Sequence, residues 1–290
     1  PMTGILLVDK PPGPTSHDVV QRVRQWSATR RVGHLGTLDP AAEGLLVLCV
    51  GDALKVVPWM EGYDKEYHAR VRLGLVTDTQ DTTGRVLAES DPGTVDADRV
   101  QQACAAFVGE QDQMPPMYSA LKVGGRKLVD LARDGREVPR AARRIVVHEL
   151  VVERVELPEV SFRVRVSKGT YVRTLCHDLG RALGCGGALS WLRRVRVGPF
   201  AVGDAHRFDT LPAWPSGLRP VLEGLGHLRS ITLSDGQTED IRHGRAVPEV
   251  DAPAGDVALL DSGGRLIGIG TVLPDRRLRP IRVLPGGSTV

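Results

Sequence analysis

Two runs, Ile145 to Leu157 and Val160 to Ser167, constrain the fold most strongly. Inward and outward residues alternate along them, as in Phe162, Val164 and Val166 against Arg163, Arg165 and Ser167. A period of two predicts strands with one buried and one solvated face, and Pro158-Glu159 joins them in a tight turn. The apolar run Leu45 to Val50 is long enough for a buried strand. Ile5 to Asp9, Lys65 to Leu73 and Leu189 to Val197 add three more strands. Lys65 and Tyr67 share one strand face. In the last strand Arg194 and Arg196 point one way, Val195 and Val197 the other.

Helical patterns alternate with these strands. Lys10-Pro11-Pro12-Gly13-Pro14 is a rigid turn, after which Ser16 caps a helix through Trp26 with Val19, Val20 and Val23 on its inner face. Asp52 caps a short helix that Pro58 ends or kinks. Thr94 opens an amphipathic helix that closes near Phe107. A short helix covers Arg126 to Asp134 before Gly135, and Thr174 to Leu183 forms another that Gly184 stops. Between Ser167 and that helix, Lys168-Gly169-Thr170-Tyr171-Val172-Arg173 continues the sheet, with Tyr171 and Arg173 on one face. Thr77 to Gly84 is a polar turn whose Asp78 and Asp81 miss calcium-loop spacing.

A chain of 290 residues can build one sizeable core plus a small extra domain. Thr210 to Ser230 is rich in Pro and Gly and predicts a linker or domain seam. From Ile231 onward, short strands with turns at Gly236, Gly244, Gly255 and Gly263-Gly264 predict a small β-domain, a barrel. No apolar run reaches transmembrane length, and Pro1 to Gly4 predicts no signal peptide. Cys49, Cys104, Cys176 and Cys185 form no CxxC pair, which predicts reduced thiols in a cytosolic protein.

The net charge of +3 is unevenly placed. From Met114 to Arg144 stand Lys122, Arg126, Lys127, Arg133, Arg136, Arg140, Arg143 and Arg144, against Asp130, Asp134 and Glu137. This segment opens on Met114-Pro115-Pro116-Met117-Tyr118, which cannot be regular structure. A basic, proline-bounded excursion between strands predicts an inserted lobe that meets a polyanion.

One loop stands out chemically: Gly33-His34-Leu35-Gly36-Thr37-Leu38-Asp39-Pro40. Its glycines permit a tight turn, and Pro40 pushes Asp39 out of helical geometry. Taken alone, Asp39 is either a constrained reactive carboxylate or a plain turn residue.

In order along the chain, this loop, Lys65-x-Tyr67, Met117-Tyr118-Ser119-Ala120-Leu121-Lys122, Lys168-Gly169-Thr170-Tyr171-Val172-Arg173 and Leu192-Arg193-Arg194 resemble the TruB-type pseudouridine synthases. The resemblance runs in register from about Gly4 to Val197, and the C-terminal stretch is more loosely similar to a PUA domain. It implies an α+β fold: a catalytic domain over residues 1–228, with a mixed, largely antiparallel sheet flanked by helices. It also implies a thumb-like insertion at about 113–144 and a β-barrel PUA-like RNA-binding domain at 229–290.

The implied activity is isomerisation of uridine 55 in the T loop of tRNA to pseudouridine, which requires no redox cofactor and no metal. The resemblance assigns Asp39 as the nucleophile, attacking either C1′ of the sugar or C6 of the uracil. It makes Arg173 the counter-charge, and has Tyr67 stack on the uracil, with Lys65 in a supporting or structural place. Tyr171 and Leu192 line the pocket, and His34 fills the space of the flipped base. Lys122, Arg126, Lys127, Arg133, Arg136 and Arg140 grip the T arm, while Arg276, Arg277, Arg279 and Arg282 touch the acceptor end. A cytoplasmic monomer with no membrane or protein partner is expected. A non-catalytic RNA-binding protein would need no Asp39, Tyr67 and Arg173 set. A guide-dependent relative acting on ribosomal RNA would need no thumb of its own. A glycosidase would need a second carboxylate, and the nearest, Glu43, sits in no matching motif.

Overall fold

The computed structural model describes residues 2–285, so Pro1 and the last five residues of the expected 229–290 domain lie outside the described residues. The chain begins β1 (Gly4–Lys10), α1 (Ser16–Ser27), β2 (Val32–His34), β3 (Glu43–Val50), a 3-10 helix (Gly51–Trp59) and β4 (Lys65–Leu73). It continues through β5 (Leu75–Thr77), β6 (Val86–Glu89), α2 (Ala97–Ala106), β7 (Gly109–Gln113), β8 (Lys122–Val123), β9 (Arg126–Lys127) and α3 (Leu128–Arg133). Then come β10 (Arg143–Glu156), β11 (Glu159–Val166), α4 (Val172–Leu183), β12 (Gly187–Val197), β13 (Phe200–Ala201) and β14 (His206–Arg207). The last elements are a 3-10 turn (Val221–Leu225), β15 (Arg229–Thr232), α5 (Asp235–Arg242), β16 (Gly255–Leu260), β17 (Leu266–Val272) and β18 (Leu278–Val283). The fold is α+β, with largely antiparallel sheet.

Two compact units form. The first joins Pro1–Pro40, Gly44–Gly62 and Val197–Val290. In it β1 lies antiparallel to β3, from Gly4↔Val50 to Lys10↔Gly44, and parallel to β14. Every residue from Leu45 to Val50 is buried, as an apolar run without alternation requires. Val19, Val20 and Val23 of α1 pack on Leu6, Val8, Leu46 and Leu48. Full burial of each such side chain contributes about 1.5–3 kcal/mol.

Thr15, not Ser16, caps α1. It closes a capping box with Asp18, which frees the Ser16 hydroxyl for another partner. Asp52 also departs from expectation: it lies inside the first turn of its helix and pairs with Arg31 (2.7 Å) and Lys55 (3.3 Å) instead of capping. The Pro/Gly-rich stretch 210–228 is more than a connection. Ile5 and Arg219 exchange backbone hydrogen bonds of 2.9 and 2.8 Å, Trp26 Nε1 donates to the Pro212 carbonyl (2.6 Å), and Trp214 meets Trp26 edge to face.

Farther along this unit, β15 to β18 form a four-stranded sheet with its own core of Leu233, Ile241, Val257, Leu259, Ile267, Val272 and Leu278. Gly236, expected at a turn, lies within α5, which starts from a capping box between Ser234 and Gln237. Its helical signal was the Ser-x-x-Gln spacing.

The second unit joins Ala41–Glu43 and Tyr63–Arg196. Its strand order is β12-β4-β11-β10-β7. The predicted β10–β11 hairpin is present and carries two bulges. Arg143↔Gln113 begins the β10–β7 ladder, so the insertion leaves and re-enters the sheet at paired positions. The stretch Lys168 to Arg173 is not strand. Helix α4 begins at Val172, with Tyr171 as its N-cap and Arg173 in the first turn, so these two side chains share no strand face. Helical wrapping wins here because Val172, Leu175, Cys176 and Leu179 all bury on one side. At Gly180 a β-carbon would lie 2.0 Å from the Gly187 nitrogen, so only glycine lets α4 approach β12 this closely. In β12, Arg194 is fully buried while Arg196 is exposed, so the even-numbered arginines do not share one environment.

Candidate active site

Asp39 stands half-buried on a loop whose backbone is held from two sides. The Lys10 ammonium, 0 % exposed, donates to the carbonyls of Pro11 (2.9 Å), Pro14 (2.8 Å) and Pro40 (3.1 Å). The Gly13 N–H also donates to the Pro40 carbonyl (2.7 Å). On the other side, the Ser16 hydroxyl donates to the Leu38 carbonyl and accepts from the Leu38 N–H, both at 2.9 Å. Leu35 and Leu38 bury their side chains, so apolar anchors flank the acid. At Gly33 a β-carbon would come within 2.8 Å of the tip of the Leu54 side chain, which would have to shift to admit a larger residue. His34 ends β2, opposite Leu48, half-buried on the same loop. Nothing in the sequence marks Lys10 or Ser16 as a support for this loop. Lys10 reads there as part of a turn, and Ser16 as a cap.

Within the second unit, several further predicted residues have defined surroundings. Tyr67 is 6 % exposed on β4, opposite Val164 of β11. Leu192 is buried on β12. Lys65 donates to the Tyr63 carbonyl (3.1 Å). Burial pushes its ammonium down to about 8, helped by the neighbouring Arg194 and opposed by Asp64.

The sign of that shift sets a pH dependence. Between pH 8 and the ordinary lysine value of 10.5 the unfolded chain binds more protons than the native protein, so stability rises with pH across that window. Lys65→Met should flatten the rise. Urea midpoints at pH 7.5 and 10 check this, and equal slopes for the two proteins would remove burial as the cause.

Arg173 is 5 % exposed at the start of α4. Its Nη1 donates to the Thr79 carbonyl (3.1 Å) and its Nη2 to the Tyr118 carbonyl (2.7 Å). Its guanidinium lies 6.0 Å from the centre of the Tyr171 ring. The Thr77–Gly84 turn is thereby a support for Arg173. Within it the Asp81 carboxylate accepts from Thr79 Oγ1 (2.7 Å), Thr83 Oγ1 (2.6 Å) and the Thr83 N–H (3.0 Å). Thr174, next to Arg173, donates to Gln80 Oε1 (2.7 Å). Among the described residues no group of three or more His, Cys, Asp and Glu side chains is placed to hold a metal ion.

The insertion is a small lobe. Lys122–Val123 and Arg126–Lys127 pair around Gly124-Gly125, both at positive φ, and Leu128 and Leu131 of α3 bury beneath. Its six predicted cations divide into two groups. Arg126 pairs with Asp134 (2.6 Å), and Arg140 donates to the Pro115 carbonyl (2.7 Å), tying the exit of the lobe to its entrance. Lys122, Lys127, Arg133 and Arg136 are exposed, with no acidic partner among the described residues. In the C-terminal sheet region Arg276 and Arg277 pair with Asp251 and Asp275, whereas Arg279 and Arg282 have no such partner among the described residues.

Residues 24–172 match the model described as "TruB family pseudouridylate synthase (N terminal domain)". Residues 173–224 match "tRNA pseudouridylate synthase B C-terminal domain", and 230–284 match "Pseudouridine synthase II TruB, C-terminal". The chain belongs to the TruB family of pseudouridylate synthases, which are isomerases. Similar relatives carry the name tRNA pseudouridine synthase B. That of Aromatoleum aromaticum is 44% identical over 99% of this chain and 94% of the relative. That of Syntrophotalea carbinolica is 43% identical over 95% of this chain and 94% of the relative. Among solved structures, one described as a Cbf5-Nop10-Gar1 complex is 28% identical, covers 97% of this chain and 84% of its own, and has a TM-score of 0.73.

Proposed function

We propose that this chain converts uridine 55 in the T loop of tRNA to pseudouridine, with Asp39 as the nucleophile. The observation that carries the reading is the Asp39 loop itself. A partly exposed carboxylate on a backbone that Lys10 and Ser16 hold on either side, at Pro40 and Leu38, suits covalent capture better than a turn would require. The N1–C1′ bond breaks, Asp39 holds the intermediate at C1′ or at uracil C6, the base turns, and C5 bonds to C1′. A proton leaves C5 and N1 gains one, so substrate and product are isomers and no electron is exchanged.

Each remaining residue has a part in this reading. Tyr67 stacks on the uracil, which contributes about 1–3 kcal/mol per base. Arg173 supplies the positive charge that keeps an aspartate ionised in a pocket. Tyr171 and Leu192 line the base site, and His34 takes the place of the flipped nucleotide, whose extrusion costs a few kcal/mol. The lobe grips the T arm through Lys122, Lys127, Arg133 and Arg136. Residues 229–290 form an RNA-binding domain that meets the acceptor end through Arg279 and Arg282. The protein acts as a cytoplasmic monomer without a guide RNA, because the lobe supplies the RNA grip.

The direct test is incubation with an unmodified T-arm stem-loop followed by mapping of pseudouridine. Product at position 55 is expected. Product elsewhere, or none, would sink the reading. A second measurement concerns the lobe. Replacing Lys127, Arg133 and Arg136 by Gln should reduce the slope of log affinity against log salt by roughly 2 to 3, as loss of three phosphate contacts dictates. An unchanged slope would take the lobe off the contact surface.

A further inference from the structure

Gln113 is the last residue before the insertion and is 3 % exposed. Its side-chain amide spans the backbone of Tyr171. Oε1 accepts from the Tyr171 N–H (2.8 Å) and Nε2 donates to the Tyr171 carbonyl (3.1 Å). The two backbone groups fix which end of the amide is which. Tyr171 makes no side-chain cap to α4, so this paired contact holds the residue from which the helix starts. The Tyr171 carbonyl also accepts from the Leu175 N–H (3.1 Å), the first hydrogen bond of the helix. Two residues on, Arg173 reaches back to the carbonyl of Tyr118, five residues beyond Gln113. The entrance of the insertion and the start of α4 are therefore joined twice, once by each side chain onto the other's backbone.

Resting on the function proposed above, we infer that Gln113 is a positioning residue: it aims Tyr171 and Arg173 by fixing the first turn of α4. A displacement of about 1 Å in such a group lowers a rate by roughly a hundredfold, so the effect belongs in the chemical step and not in RNA affinity.

The experiment compares Gln113→Glu and Gln113→Met in single-turnover reactions with the T-arm stem-loop, alongside stem-loop affinity and thermal melting. Glu keeps the acceptor for the Tyr171 N–H but sets a carboxylate against the Tyr171 carbonyl. Met keeps length and loses both bonds. Single-turnover rates should fall roughly tenfold to a hundredfold with affinity little changed. In an Arg173→Lys background the same changes should cost much less, since the arginine they aim is gone. Rates near native in the folded variants, or losses that simply add to that of Arg173→Lys, would overturn the inference. If Gln113→Met fails to fold, Gln113→Glu decides by the same criteria. Should the native protein itself form no pseudouridine, the proposed function fails. A normal native rate with unaffected Gln113 variants instead defeats this inference alone.

Discussion

Asp39→Asn is expected to abolish pseudouridine formation while the protein still folds and binds tRNA. The amide has nearly the shape of the carboxylate but is neither charged nor nucleophilic, and loss of a covalent nucleophile lowers turnover by roughly 10⁴-fold or more. The tethers of the loop do not depend on the Asp39 carboxylate. Lys10 binds the Pro40 carbonyl, and Ser16 binds both backbone groups of Leu38. The same rigidity predicts that Asp39→Glu is also poorly active, because a fixed backbone cannot retreat to accommodate one more methylene. The check is a pseudouridine assay beside a tRNA-binding titration. Ordinary turnover by Asp39→Asn would return Asp39 to the status of a turn residue.

Arg173→Lys is expected to give the second large loss. Arginine spans two carbonyls at once, Thr79 and Tyr118, through a planar fork. A lysine ammonium keeps the charge but is a single point on a flexible stem, and cannot satisfy both acceptors from one position. One buried carbonyl is left with a poorer partner, at a cost of about 1–3 kcal/mol in stability. The catalytic loss should be larger, roughly 10²- to 10³-fold, as for removal of one aimed electrostatic group. Melting and single-turnover rates separate the two effects. A variant that melts lower but reacts at the native rate would make Arg173 a purely structural clamp.

Local signals in the sequence carried much of the fold. The period-two pattern of β11 and the unbroken apolar run of β3 appear where expected. Proline, glycine and charge marked the insertion between β7 and β10. Strand β7 itself was hidden, because Gly109-Glu110-Gln111-Asp112-Gln113 has no apolar alternation. It is an edge strand held by its ladder to β10, not by a buried face. The start of α4 departs from its local sequence signal for the opposite reason. Thr170, Tyr171 and Val172 favour strand locally, yet burial of one helical stripe decides the outcome.

At the candidate site, motif resemblance could name Asp39, Tyr67 and Arg173, but not what holds them. Lys10, Ser16 and Gln113 bind backbone groups distant in sequence, and Thr79 offers its own backbone carbonyl to Arg173. Backbone partners leave no trace in residue type, so this supporting layer is visible only in three dimensions.

The β7–β10 ladder also makes the insertion a replaceable part. Because Gln113 and Arg143 already face each other, a change of length between them need not shift the register of the sheet. The boundary of the exchangeable piece is narrower than the excursion itself. Tyr118 and Arg140 are fastened to Arg173 and Pro115 and form the neck, while residues 122–137 form the tip, which Leu128 and Val129 tie to the carbonyls of Leu121 and Ser119. Grafting tips of different length and charge onto that fixed neck would let evolution, or an engineer, redirect the same isomerisation chemistry toward a differently shaped RNA.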